Sequence, residues 1–157
     1  MQLPCESPAT TFTVSLSTNG FLAVHSIIGD IDALAQAAAA ILPLMIQVLE
    51  KLDQWIKDFS CAGDCVIGLI YMPPTSDTTA SQKTHLDRRG HIITDGWAWT
   101  AKVTGSVTVD CHHPDKKGIG KPHKRGEGLR DIEDLLKELR KLLEERDKSK
   151  RQGRAAG

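Results

Sequence analysis

Apolar and polar positions along this chain follow two different periods, and each predicts its own kind of element. Residues 10–17 read TTFTVSLS, with Phe12, Val14 and Leu16 on one face and Thr or Ser between them, the alternation of a half-buried strand. From Asp30 onward the period changes. Ile31, Leu34, Ala38, Ile41, Met45, Val48, Leu52, Trp55 and Phe59 are separated alternately by 3 and 4 residues, which is a heptad seam. Ala35, Leu42, Ile46, Leu49 and Ile56 widen that seam into a broad apolar face. The spacing predicts a long helix over 30–59, N-capped by Asp30 and kinked or split at Pro43, whose ring removes a backbone hydrogen bond. The same steps return at Leu129, Ile132, Leu136, Leu139 and Leu143 among Glu, Lys and Arg. They predict a C-terminal amphipathic helix of coiled-coil type, ending in a frayed basic tail.

Between the helices the pattern is that of strands. Val66 to Met72 is a continuous apolar run of strand length, and Pro73 to Lys83 (PPTSDTTASQK) reads as a polar loop. Asn19-Gly20, Asp95-Gly96 and Thr104-Gly105 read as turns. A three-residue loop at Thr104 to Ser106 would set Val103 against Val107, Ala101 against Val109 and Trp99 against Cys111 on one apolar face. The expected fold is therefore α+β, with a long N-terminal heptad-patterned helix, a small antiparallel β-sheet and a C-terminal amphipathic helix. Its expected organisation is a core over 1–113 (strand 10–17, helix 30–59, strands within 65–112), a basic Gly/Pro linker over 114–128, and the last helix and tail over 129–157.

Composition places the chain among globular proteins: 157 residues, 40% hydrophobic and 25% charged. The formal net charge is zero, but Glu6, Asp30, Asp32 and Glu50 are the only charges before Lys51, while cations crowd the linker and the tail. Residues 33–49 form an uncharged stretch of 17 residues, the short limit for a membrane span. Gln36, Pro43 and Gln47 inside it, and a seam that continues into charged sequence, argue against a membrane partner. The N-terminus shows neither the basic region nor the apolar run of a secretory signal, so the expected compartment is the cytoplasm or nucleus, where thiols stay reduced.

Three constellations could carry chemistry. Cys61, Cys65, Cys111 and His113 could supply four zinc ligands if their strand ends lie side by side, with zinc the only cofactor the sequence suggests. The alternatives are disulfides, for which four cysteines allow three connectivities, or inert buried thiols. Alternation puts His112 on the face opposite Cys111. Lys116, Lys117, Lys121, Lys124 and Arg125, with Lys148, Lys150, Arg151 and Arg154 of the tail, could follow a phosphate backbone or an acidic protein surface. His85, Arg88, Arg89 and His91 in HLDRRGH hold the residue types for phosphodiester chemistry, at a spacing that matches no catalytic motif.

Because the apolar seams exceed what a small sheet can cover, the first functional expectation is a non-enzymatic structural or assembly protein. It would self-associate through Ile31, Leu34, Ile41, Met45, Val48, Leu52 and Trp55, and through Leu129, Ile132, Leu136, Leu139 and Leu143. The second is a nucleic-acid-binding accessory protein working through the basic linker and tail. The third is an enzyme using a metal or the His/Arg cluster on a phosphodiester.

Overall fold

A computed structural model describes residues 2–25 and 29–156, with side chains as far as Lys150. In chain order the elements are β1 (Gln2–Leu3), β2 (Ser7–Leu22), α1 (Asp30–Asp58), β3 (Ser60–Cys61), β4 (Val66–Leu86), β5 (Ile92–His112), β6 (Lys121–His123) and α2 (Arg130–Ala156). The expectation of a small sheet beside a dominant helix is wrong. Among the described residues the chain is mostly β, mixed with two helices, and β2, β4 and β5 are strands of 16, 21 and 21 residues. They lie in one four-stranded antiparallel sheet of order β2-β5-β4-β6, and β1 pairs in parallel with β3, Gln2 opposite Ser60 and Leu3 opposite Cys61.

Each misread segment has a local cause. The polar run Pro73 to Lys83 is the middle of β4, where most side chains on both faces meet water, so no apolar period marks the strand. Gly20 and Gly105 are not turn residues. A Cβ on Gly20 would collide with the Trp99 indole, and one on Gly105 would lie 3.0 Å from both Leu52 and Val48 of α1. Glycine is in these strands to let a ring and a helix come close to the backbone, not to reverse the chain. Within the assigned linker, Lys121 to His123 is an edge strand, paired with Ile67 to Leu69. Helix α1 runs as one element from Asp30–Asp58 with Pro43 inside it, and α2 continues through the stretch expected to fray.

The chain divides into two compact units, with boundaries inside β2, α1, β4 and β5. Unit 1 comprises Met1–Val14, Ile46–Pro74 and Thr104–Gly157. Its core joins Val48, Leu49, Leu52 and Ile56 of α1 to Val107, Val109 and Cys111 of β5 and to Ile132 and Leu136 of α2. Phe12, Trp55 and Phe59 stack in series, with centroids 4.9 and 5.2 Å apart. Two disulfides close this unit, Cys5–Cys65 and Cys61–Cys111. Unit 2 comprises Ser15–Met45 and Thr75–Val103. In it the first half of α1 lies on the sheet through Ala33 and Ala37, both fully buried, and the Trp99 indole N–H donates to the Gln36 side-chain oxygen at 3.0 Å.

Candidate functional site

The heptad seam of α1 has two fates. Val48, Leu52 and Phe59 are buried in unit 1, and Trp55 is sandwiched between Phe12 and Phe59, so these residues are spent on the fold. In unit 2 the helix is covered along Ala33 and Ala37, and the seam residues beside them face water. Ile31 is 70% exposed and Leu34 38%, while Ala35, Ala38 and Ala39 are exposed and Ile41, Leu42 and Met45 half-buried. On a straight α-helix Ile31, three heptads before Leu52, is turned from it by roughly 60°. The uncovered face carries no charge from Ala33 to Met45.

In α2, Ile132 and Leu136 are core residues of unit 1, whereas Leu139 and Leu143, and Leu129 just before the helix, are half-buried and Leu142 is exposed. Arg140 of α2 donates to Glu50 of α1 at 2.9 Å. These contacts are internal to unit 1.

The cysteine–histidine constellation is arranged differently from a zinc knuckle. Cys61 is bonded to Cys111 and Cys65 to Cys5, so none of the three sulfurs carries a thiolate to offer a metal. Among the described residues no group of three or more His, Cys, Asp and Glu side chains is placed to hold a metal ion. His113 is exposed, 4.0 Å from Glu6. His112 lies on the face opposite Cys111, covered by the following loop. Its Nδ1 is 3.2 Å from Asp110 Oδ1, and Asp110 Oδ2 accepts the Ile119 N–H at 3.1 Å. The pair fastens that loop.

The basic cluster is partly committed as well. Lys116 lies 3.6 Å from Glu6, and Lys121 sits in β6. Lys117, Lys124 and Arg125 are exposed, whereas Arg151 and Arg154 lie outside the residues whose side chains are described. The HLDRRGH segment forms the β4–β5 turn. Asp87 Oδ1 accepts the N–H groups of Arg89 and His91, each at 2.8 Å, and His85 Nδ1 is 2.6 Å from Asp95 Oδ1 across the ribbon. Both His/Asp pairs are open to solvent, and among the described residues neither belongs to a larger cluster of His, Cys, Asp and Glu placed to hold a metal ion.

One feature had no signal in the pattern of the sequence. Tyr71 has its hydroxyl buried without a hydrogen-bond partner among the described residues, and burial, with the nearby charge of Asp131, pushes its pKa above the usual phenol value. It lines an open cleft of about 290 Å3 with Leu69, His123 and Leu129 in unit 1.

Comparison with protein-family models, with curated proteins and with solved structures yields no match. A functional reading therefore stands on the geometry of this chain.

Proposed function

We propose that the chain is a non-enzymatic assembly protein that pairs with further copies of itself through the uncovered N-terminal half of α1. The observation that carries this reading is the face from Ile31 to Met45, uncharged beyond Asp32, with Ile31 70% and Leu34 38% exposed. Leaving large aliphatics in water forfeits about 25 cal/mol per Å2 of apolar surface. A sheet does not need a heptad. A second helix does, because a supercoiled partner keeps the 3.5-residue seam in contact where a flat sheet loses it. The small, exposed Ala35 and Ala38 let such a helix approach closely.

α1 is long and apolar enough to cross a membrane, so lipid is the rival occupant. Arithmetic favours the protein partner. The 15 residues from Ile31 to Met45 rise about 22 Å, short of a ~30 Å hydrocarbon core. Ala33 and Ala37 are fully covered and Gln36 is bound to Trp99, so the helix would have to leave its sheet before lipid could surround it. The other seam residues have no part in this reading: Val48, Leu52, Ile132 and Leu136 are buried, and Trp55, Leu129, Leu139 and Leu143 are half-buried. The paired cysteines support work in an oxidising compartment, where such bonds persist.

The test is the doubly substituted variant Ile31→Asp, Leu34→Asp, run beside the native chain by light scattering after gel filtration. The native chain is expected to elute as an oligomer and the variant as a folded monomer. Equal masses for the two would overturn the reading.

A further inference from the structure

We infer that the tip of the β4–β5 hairpin is a contact site for an anionic phospholipid surface. This rests on a part of unit 2 separate from the α1 face. β2 ends at Leu22, and the ring of His25 reaches the Thr94 carbonyl at 2.8 Å. Past that level, among the described residues, β4 and β5 alone continue, as a two-stranded ribbon closed by the hydrogen bonds from the Asp87 N–H to the His91 carbonyl and from the Gly90 N–H to the Asp87 carbonyl.

Leu86 and Ile92 stand one residue outside the Asp87–His91 pair, opposite each other on the ribbon. They are 67% and 73% exposed. Two large aliphatics this exposed, flanking a charged turn, contribute little to a core among the described residues. A bare ribbon in water also gains little from them.

Charge completes the argument. Lys83, Arg88 and Arg89 are exposed, and none of them pairs with a carboxylate among the described residues. The two acids nearby are occupied. Asp87 is turned into the turn by two backbone N–H groups, and Asp95 is held by His85. Laid on the ribbon face that Leu86 and Ile92 share, the tip offers these aliphatic side chains to the boundary of the acyl chains and the exposed guanidinium groups of Arg88 and Arg89 to the phosphates. This is the pairing of apolar insertion and cationic attraction that holds proteins at a membrane surface. A polyanion such as nucleic acid would use the cations and leave Leu86 and Ile92 in water, which is why a bilayer is favoured. The net charge of the chain is zero, so adhesion cannot be a property of the protein as a whole.

The test is co-sedimentation of the full chain with vesicles of phosphatidylcholine alone and of phosphatidylcholine with phosphatidylserine. Binding is expected only to the second, falling as salt rises. Arg88→Gln with Arg89→Gln should weaken it about thirty-fold, from the contribution of two basic residues near an anionic surface. Leu86→Ser with Ile92→Ser should weaken it about tenfold or more. Since all four side chains are exposed, both variants should keep the native circular dichroism and the native oligomeric mass, which separates this result from the assembly test. Ile31→Asp with Leu34→Asp should retain the preference for the anionic vesicles. Absence of binding at low salt would overturn the inference. So would binding that neither tip variant reduces, or binding that the arginine variant alone reduces and that polynucleotide competes away.

Discussion

At the residue scale, Gly20 and Gly105 stood out in the sequence, but the reason for each did not. Gly20 and Gly105 sit in dipeptides that usually mark turns, yet each makes room, for the Trp99 ring in one case and for Leu52 and Val48 in the other. A one-dimensional pattern cannot tell a glycine that bends the chain from one that a neighbour presses against. Tyr71 carried no signal at all, because an isolated aromatic in an apolar run reads as core. It is the only tyrosine, so its ionisation can be followed by phenolate absorbance alone. Burial first, and the Asp131 charge second, disfavour the phenolate and raise the folded pKa above the ordinary value near 10. The stability linked to the neutral phenol is therefore complete below that ordinary value and is lost as pH rises through the folded one. The titration midpoint is expected above that of the unfolded chain, with Asp131→Asn lowering it only in part. A midpoint equal to the unfolded value would contradict the burial of the hydroxyl.

At the element scale, the long helix was legible because its apolar seam runs unbroken from Ile31 to Phe59, and α1 covers nearly that span. What the pattern could not show is which partner each part of the seam meets. In the first half of α1 Ala33 and Ala37 are buried, while Leu34 and Ala38 of the seam are exposed. The two halves of the seam should therefore respond differently to truncation. Leu52→Ala is expected to cost about 2–5 kcal/mol in chemical denaturation. Ile31→Ala should change the stability of the dilute chain by less than about 0.5 kcal/mol. Equal losses would mean that the first half of α1 is packed within the chain. The long strands were harder to see. Over Pro73 to Lys83 most side chains face water, so β4 is held by its ladder in a stretch where hydrophobic periodicity is silent.

At the scale of the whole molecule, the cysteines were the least legible feature, because spacing alone leaves three pairings, zinc and free thiols open. The sheet decides the outcome by bringing Cys61 of β3 beside Cys111 of β5, and Cys65 beside Cys5 just past β1. Their sequence separations of 60 and 50 residues mean that each bridge constrains a large part of the unfolded chain, worth roughly 4 kcal/mol apiece in the loop-entropy view. The loops overlap, so the joint effect falls short of the sum. Cys61→Ser with Cys111→Ser should lower the unfolding free energy by an amount of that order and the denaturation midpoint with it, and treatment of the native chain with a thiol reductant should lower the midpoint further. A midpoint indifferent to reductant would mean the sulfurs are not bonded. The strand ladder, the two bridges and the buried half of α1 together account for the fold without using Ile31 and Leu34. Those two residues are what a partner copy would cover. The most direct measurement of that claim is sedimentation equilibrium of the native chain across a wide range of concentration. A mass rising to a whole-number multiple of 17.2 kDa is the expected result. A mass of 17.2 kDa at every concentration would contradict it.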